Sequence, residues 1–168
     1  MKRLVLSAVI LTGIVIPAYG QDTRPLFVIE RNVSKNVVHY DAQLTTEGSL
    51  DPKEPVIAYW AMLANGGHRE ELTFLERLLG YGFTIQPDPN GRGFRMALVA
   101  DREREITVYQ NGDQVAAEIM IAGRPALLRK VYVNLTDGFA LPTVNSIELF
   151  GRDPKSDDER YEKIVPKR

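Results

Sequence analysis

The residues able to do chemistry in this chain are few, and their spacing narrows that chemistry further. There is no cysteine, so thiol catalysis, thiolate zinc sites, disulfide scaffolds and a cysteine-linked lipid all drop out. Two histidines, His39 and His68, are the only imidazole bases. No serine stands in a Gly-x-Ser-x-Gly elbow, so a Ser–His–Asp triad has no local signature here. His39 and Asp41 alternate along one strand face, which polar residues facing solvent explain without a metal. His68 and Glu71 sit close enough at a helix start to converge, yet two histidines without a dedicated motif do not make a metal site. Asn65-Gly66-Gly67-His68 offers free N–H groups to an anion but lacks the Gly-x-x-x-x-Gly-Lys pattern. Glu30, Asp41, Asp51, Glu54 and Glu76 are all candidate carboxylates, and nothing in the sequence selects a pair. The expectation is therefore no catalytic residue, no metal and no cofactor.

Strand parity gives a sharper hint. Leu127, Arg129, Val131, Val133 and Leu135 share one face if the strand is unbroken, and Arg129 alone interrupts its apolar character. Leu26, Val28 and Glu30 share a face in the same way. A charge on an apolar face must be paired, at a rim, or facing a cavity, because an unpaired buried charge costs several kcal/mol. Glu30 and Arg129 are accordingly expected as a pair, either at the sheet's rim or at a barrel mouth that recognises a polar group. Tyr40, Tyr59 and Trp60 are expected either as the aromatic wall of such a pocket or as ordinary core aromatics.

The elements that must position these residues are mostly strands. Leu26 to Arg31 and Val37 to Leu44 flank a polar turn and read as a hairpin. Val56 to Ala64 is apolar on both faces and reads as a central strand. Arg69 to Leu79 breaks the rhythm, because Leu72, Leu75, Leu78 and Leu79 recur at helical spacing. Gly80 is a ready cap, so one short amphipathic helix is expected with its stripe docked on the sheet. Strands resume at Tyr81 to Gln86 and Phe94 to Ala100. Asn111-Gly112-Asp113 then joins Glu105 to Gln110 and Gln114 to Ile121 by the strongest hairpin signal in the chain. Ala126 to Leu135 and a strand near Thr143 to Phe150 complete the set. The fold class expected is mainly β, an antiparallel β-barrel or sandwich of about eight strands with one short amphipathic helix.

Length and composition set the frame. A chain of 168 residues, 44% hydrophobic and 26% charged with net charge −1, fits one domain and argues against disorder or an electrostatic nucleic-acid binder. At the front, Met1-Lys2-Arg3, the apolar run Leu4 to Ile16, Pro17 and Ala18-Tyr19-Gly20 form the three parts of a secretory signal, with cleavage expected after Gly20. The run is too short to span a bilayer. The expected organisation is a signal peptide over 1–20, a single β-rich domain over 21–150, and a charged, solvated, flexible tail over 151–168.

Leu26-Phe27-Val28-Ile29-Glu30-Arg31, Asn36-Val37-Val38-His39-Tyr40-Asp41, Pro55-Val56-Ile57-Ala58-Tyr59-Trp60 and Leu72-Thr73-Phe74-Leu75-Glu76-Arg77, followed by Tyr81-Gly82-Phe83, stand in an order more specific than any one block. Together, over roughly Pro25 to Phe150, they resemble the uncharacterised bacterial family known as domain of unknown function 4833. That resemblance implies an exported bacterial protein of one domain and carries over no catalytic residue.

The function expected is an exported, soluble, β-rich module in the periplasm or outside the cell that binds a small molecule or an envelope partner without catalysis. It is expected to bind no nucleic acid and, once mature, to have no membrane span. The alternatives are a carboxylate-dependent hydrolase acting on cell-envelope material, and a structural or assembly protein without a ligand. A cavity separates the first reading from the last, and paired carboxylates within it would mark the second.

Overall fold

The computed structural model describes residues 22–136 and 142–166; the signal peptide expected over Met1 to Gly20 lies outside them. The described chain forms β1 (Asp22–Arg31), β2 (Ser34–Leu44), β3 (Val56–Met62) and β4 (His68–Glu71). A helical turn α1 (Phe74–Glu76) follows and runs straight into a π-helical turn, Arg77–Tyr81. Then come β5 (Phe83–Pro87), β6 (Phe94–Leu98), β7 (Asp101–Asn111), β8 (Gln114–Ile121), β9 (Arg124–Thr136), β10 (Thr143–Arg152) and β11 (Glu159–Ile164).

The protein is mainly β, as expected, but its sheet is a mixed, curled half-barrel rather than an antiparallel barrel or sandwich of about eight strands. The reason lies in β9. Two antiparallel wings, β4-β3-β2-β1 and β5-β6-β7-β8, meet it along one edge. β8 pairs with the first part, Arg124 to Leu127, and β1 pairs in parallel with the next, Lys130 to Val133. β10 runs antiparallel along the opposite edge, and β11 adds to β10. One long strand thus joins two wings, and the parallel contact comes from chain segments too far apart for hairpin logic to reveal.

The core lies between the wings. Val38, Tyr40, Met96, Ile106, Val108, Ile121 and Leu128 are almost wholly buried, each burial worth about 1.5–3 kcal/mol. Tyr40 stacks on Phe27 with centroids 4.5 Å apart and meets the edge of Phe83 from the other wing. Its hydroxyl donates to the Tyr81 carbonyl at 2.7 Å, so the buried phenol is satisfied.

Two local expectations are corrected. The helix expected over Arg69 to Leu79 starts only after Thr73. His68–Glu71 is an edge strand paired with β3, and Thr73 and Glu76 form a capping box. The Thr73 N–H donates to Glu76 Oε2 at 2.8 Å, and the Glu76 N–H donates to Thr73 Oγ1 at 3.3 Å. The π-helical turn closes at Gly82, where a Cβ would fall 2.0 Å from the Arg77 carbonyl oxygen. The apolar stripe does not dock on the sheet either, because Leu75, Leu78 and Leu79 are exposed and only Leu72 is buried.

The charged stretch from Gly151 is the second correction. Gly151 and Arg152 end β10, and Glu159–Ile164 is β11, not solvated tail. The Arg104 guanidinium donates to both Glu162 oxygens at 2.9 and 3.0 Å, and the Ala122 N–H donates to the same carboxylate at 2.8 Å. Charge composition hid the strand because its side chains are held by partners rather than by an apolar core.

Candidate functional site: an arginine- and aromatic-lined groove on β9, β10 and β11

The site begins with an irregularity in β9. Phe150 pairs with Lys130, but the next residue, Gly151, pairs with Leu128. Arg129 is therefore the extra residue of a β-bulge, and side-chain parity flips across it. Before the bulge Ala126 and Leu128 are buried; after it Val131 and Leu135 are. The unbroken face Leu127-Arg129-Val131-Val133-Leu135 does not exist, and Arg129 is exposed.

Gly151 lets β10 close on this point. A Cβ there would lie 2.7 Å from the Leu127 carbonyl oxygen and 2.8 Å from Ile121 Cδ1. Beyond Arg152 the chain turns through Asp153 to Asp158 and returns as β11. Asp153 organises that turn, accepting from the Lys155 and Ser156 N–H groups at 2.9 and 3.2 Å. Its other oxygen accepts from Arg160 at 2.6 Å. The Arg160 hydrogen bond and those two amides hold the Asp153 carboxyl down at about 2. Arg152 donates to Asp157 at 2.6 Å across the same turn.

These elements enclose an open groove of about 690 Å³ lined by Arg129, Phe150, Arg152, Glu159, Arg160 and Tyr161 with Gly151. That volume falls in the range of about 300–1,000 Å³ that small-molecule sites occupy. Phe150 and Tyr161 rings lie 5.2 Å apart at 54°, and Lys130 Nζ stands 4.8 Å from the Phe150 centroid. Tyr161 donates to Glu148 at 3.1 Å, and desolvation followed by that carboxylate pushes its phenol upward. Arg152 and Arg160 each hold one aspartate. Arg129, among the described residues, makes no ion pair. A guanidinium of this kind offers a planar fork of donors suited to a carboxylate or phosphate. Among the described residues that line the groove there is no imidazole, and the one hydroxyl, that of Tyr161, is engaged by Glu148.

The sequence-flagged residues do not converge. Glu30 pairs with Lys130 at 3.3 Å, not with Arg129, which overturns the expected pairing. Through Lys130 it touches the flank of the groove. Tyr40 is core. Tyr59 lies on the other face of the sheet, where its hydroxyl donates to buried Asp41 at 2.7 Å and His39 stacks on its ring. Burial first, then that carboxylate, push the Tyr59 phenol up to about 12. Trp60 donates to Glu76 Oε1 at 3.0 Å beneath the Arg31 guanidinium, 4.8 Å from its ring, beside a small cleft of about 210 Å³. The sequence does not mark Phe150, Arg152, Arg160 and Tyr161 as site residues, because the last three lie where composition turns charged. The bulge at Arg129 has no sequence signature.

The acidic groove of about 700 Å³ on β7 and β8 has Asp101 and Glu162 paired to Arg104, Glu105 to Arg95 and Glu118 to Arg92. Among the described residues no three His, Asp or Glu side chains stand ready to hold a metal, and no helix is long and apolar enough to cross a membrane.

The class defined by this fold is a mixed, half-barrel β-domain. The chain belongs to the family described as Domain of unknown function (DUF4833), whose model matches residues 27–163. The matched span runs from β1 into β11, so every residue lining the groove lies within it. No curated protein and no solved structure matches the chain.

Proposed function

We propose that the chain is an exported, non-catalytic binding module that takes a small anionic molecule into the β9–β11 groove. The observation that carries this reading is Arg129, the extra residue of a bulge on the wall of a ligand-sized groove, without an ion pair among the described residues. Arg152 and Arg160, each already paired with an aspartate, fix the shape of the wall and leave Arg129 as its unpaired guanidinium among the described residues, and the Phe150 and Tyr161 rings supply the apolar surface. The carboxylate or phosphate of the ligand would meet Arg129 in a two-pronged contact. Export is supported by the signal pattern at Met1 to Gly20.

The reading is tested by thermal-shift screening and calorimetry against phosphate, citrate, sugar phosphates and aromatic carboxylates. At least one should raise the melting temperature in the wild type. Arg129→Gln should weaken that ligand by about 10- to 100-fold, the usual scale for losing a charged hydrogen-bonding partner. A panel that shifts nothing, or a shift that Arg129→Gln leaves intact, rejects the groove as the binding site.

A further inference from the structure

The segment from α1 through the π-helical turn leaves four large apolar side chains in solvent: Phe74 is 76% exposed, Leu75 62%, Leu78 52% and Leu79 67%. This display is fixed by polar contacts. The capping box holds the start, Trp60 donates to Glu76, Arg77 donates to the Leu72 carbonyl at 3.2 Å and to Glu71 at 3.0 Å, and the Gly82 N–H closes on the Arg77 carbonyl. A helical turn secured in this way cannot roll its leucines inward without breaking several of those bonds.

We propose that this face is the contact between two copies of the chain related by a two-fold axis. The four side chains present roughly 450 Å² of apolar surface, within the ~300–600 Å² range of the largest patch on a soluble monomer, where such patches are often functional. Buried against its own image, that patch removes roughly 900 Å² from water, and a polar rim brings the total to the ~1,000 Å² that a specific contact needs. The rim selects the occupant. Arg69 and Arg77 both pair with Glu71, and His68 with Glu70, so the border is neutralised within each copy and sets no like charges against its own image across a two-fold axis. A lipid surface is favoured by a rim of Lys and Arg, and here carboxylates outnumber guanidinium groups.

Sedimentation equilibrium over a concentration series tests this on the purified protein. The wild type should show a monomer–dimer equilibrium in the micromolar range. Leu75→Glu with Leu79→Glu should weaken it by at least about 100-fold, because each copy would then bury two unpaired carboxylates. Met120→Glu, at an apolar site 49% exposed on β8, should leave it unchanged. All three sites are solvent-exposed, and matching circular dichroism and melting curves verify that the variants fold. A wild type monomeric at every concentration up to about the millimolar range overturns the proposal, as does a dimer that survives the double substitution. Co-flotation of a monomeric wild type with phosphatidylcholine vesicles, abolished by the double substitution, would also overturn it by assigning the face to lipid.

Discussion

Arg129 shows how one extra residue redirects a side chain. Unbroken strand parity singles it out as the interruption of an apolar face, and it does line a groove, but for a different reason. The bulge changes parity at that residue, so the apolar face expected from unbroken alternation is two half-faces. Glu30 was legible as a charge needing a partner, and it has one in Lys130. Each member of that pair is more than one-third exposed, so Glu30→Gln should cost less than about 1 kcal/mol. Combined with Arg129→Met its effect on stability should simply add, which denaturant titration of the two singles and the double will show. Asp153 has the stronger coupling to pH. Its carboxyl titrates at about 2 in the folded chain against an ordinary 3.8, so the folded value is depressed. Its contribution to stability is whole above the ordinary value and drains away as pH falls toward the folded one. Melting temperature followed from pH 6 to pH 2 should therefore separate wild type from Asp153→Asn most at the upper end. The two curves should converge at the acid end; parallel curves would show that the Arg160 contact contributes no linkage.

At the scale of elements, what could be read was local. The β1–β2 hairpin and the β7–β8 hairpin at Asn111-Gly112 follow from alternation and turn chemistry, and Gly112 has the positive φ, 59°, that the turn signal implies. Elements held by distant partners were not readable. β4 looks helical by its neighbours' leucines, yet it is drawn out as an edge strand by pairing with β3. β11 looks like tail because four of its six residues, Glu159, Arg160, Glu162 and Lys163, are charged. Its place is set by backbone pairing with β10 and by the Arg104–Glu162 contact. Truncation after Arg152 should therefore destabilise the protein. Removing Glu162 strands a partly buried guanidinium and an amide, a loss of about 2 kcal/mol or more and several degrees of melting temperature. A truncated chain that melts as the full one does would return residues 153–168 to the status of a tail.

At the scale of the whole molecule, β9 is the strand on which both wings depend, and its parallel seam with β1 has a consequence in time. Asn32 on the turn after β1 exchanges hydrogen bonds of 2.9 and 2.7 Å with the backbone of Leu135, 103 residues later. A ribosome adds about 5–20 residues per second, so β1 waits roughly 5–20 s for the strand that will cover its edge. During that interval β1 to β4 can form only an antiparallel meander with one open side, and β1 itself offers a row of unmet amides and carbonyls to any passing strand. The protein is thus exposed to mispairing at its first strand for most of its own synthesis. The irregularity between Pro25 and Phe27 twists β1, and a twisted edge is a poorer template for a stray strand while it stands open.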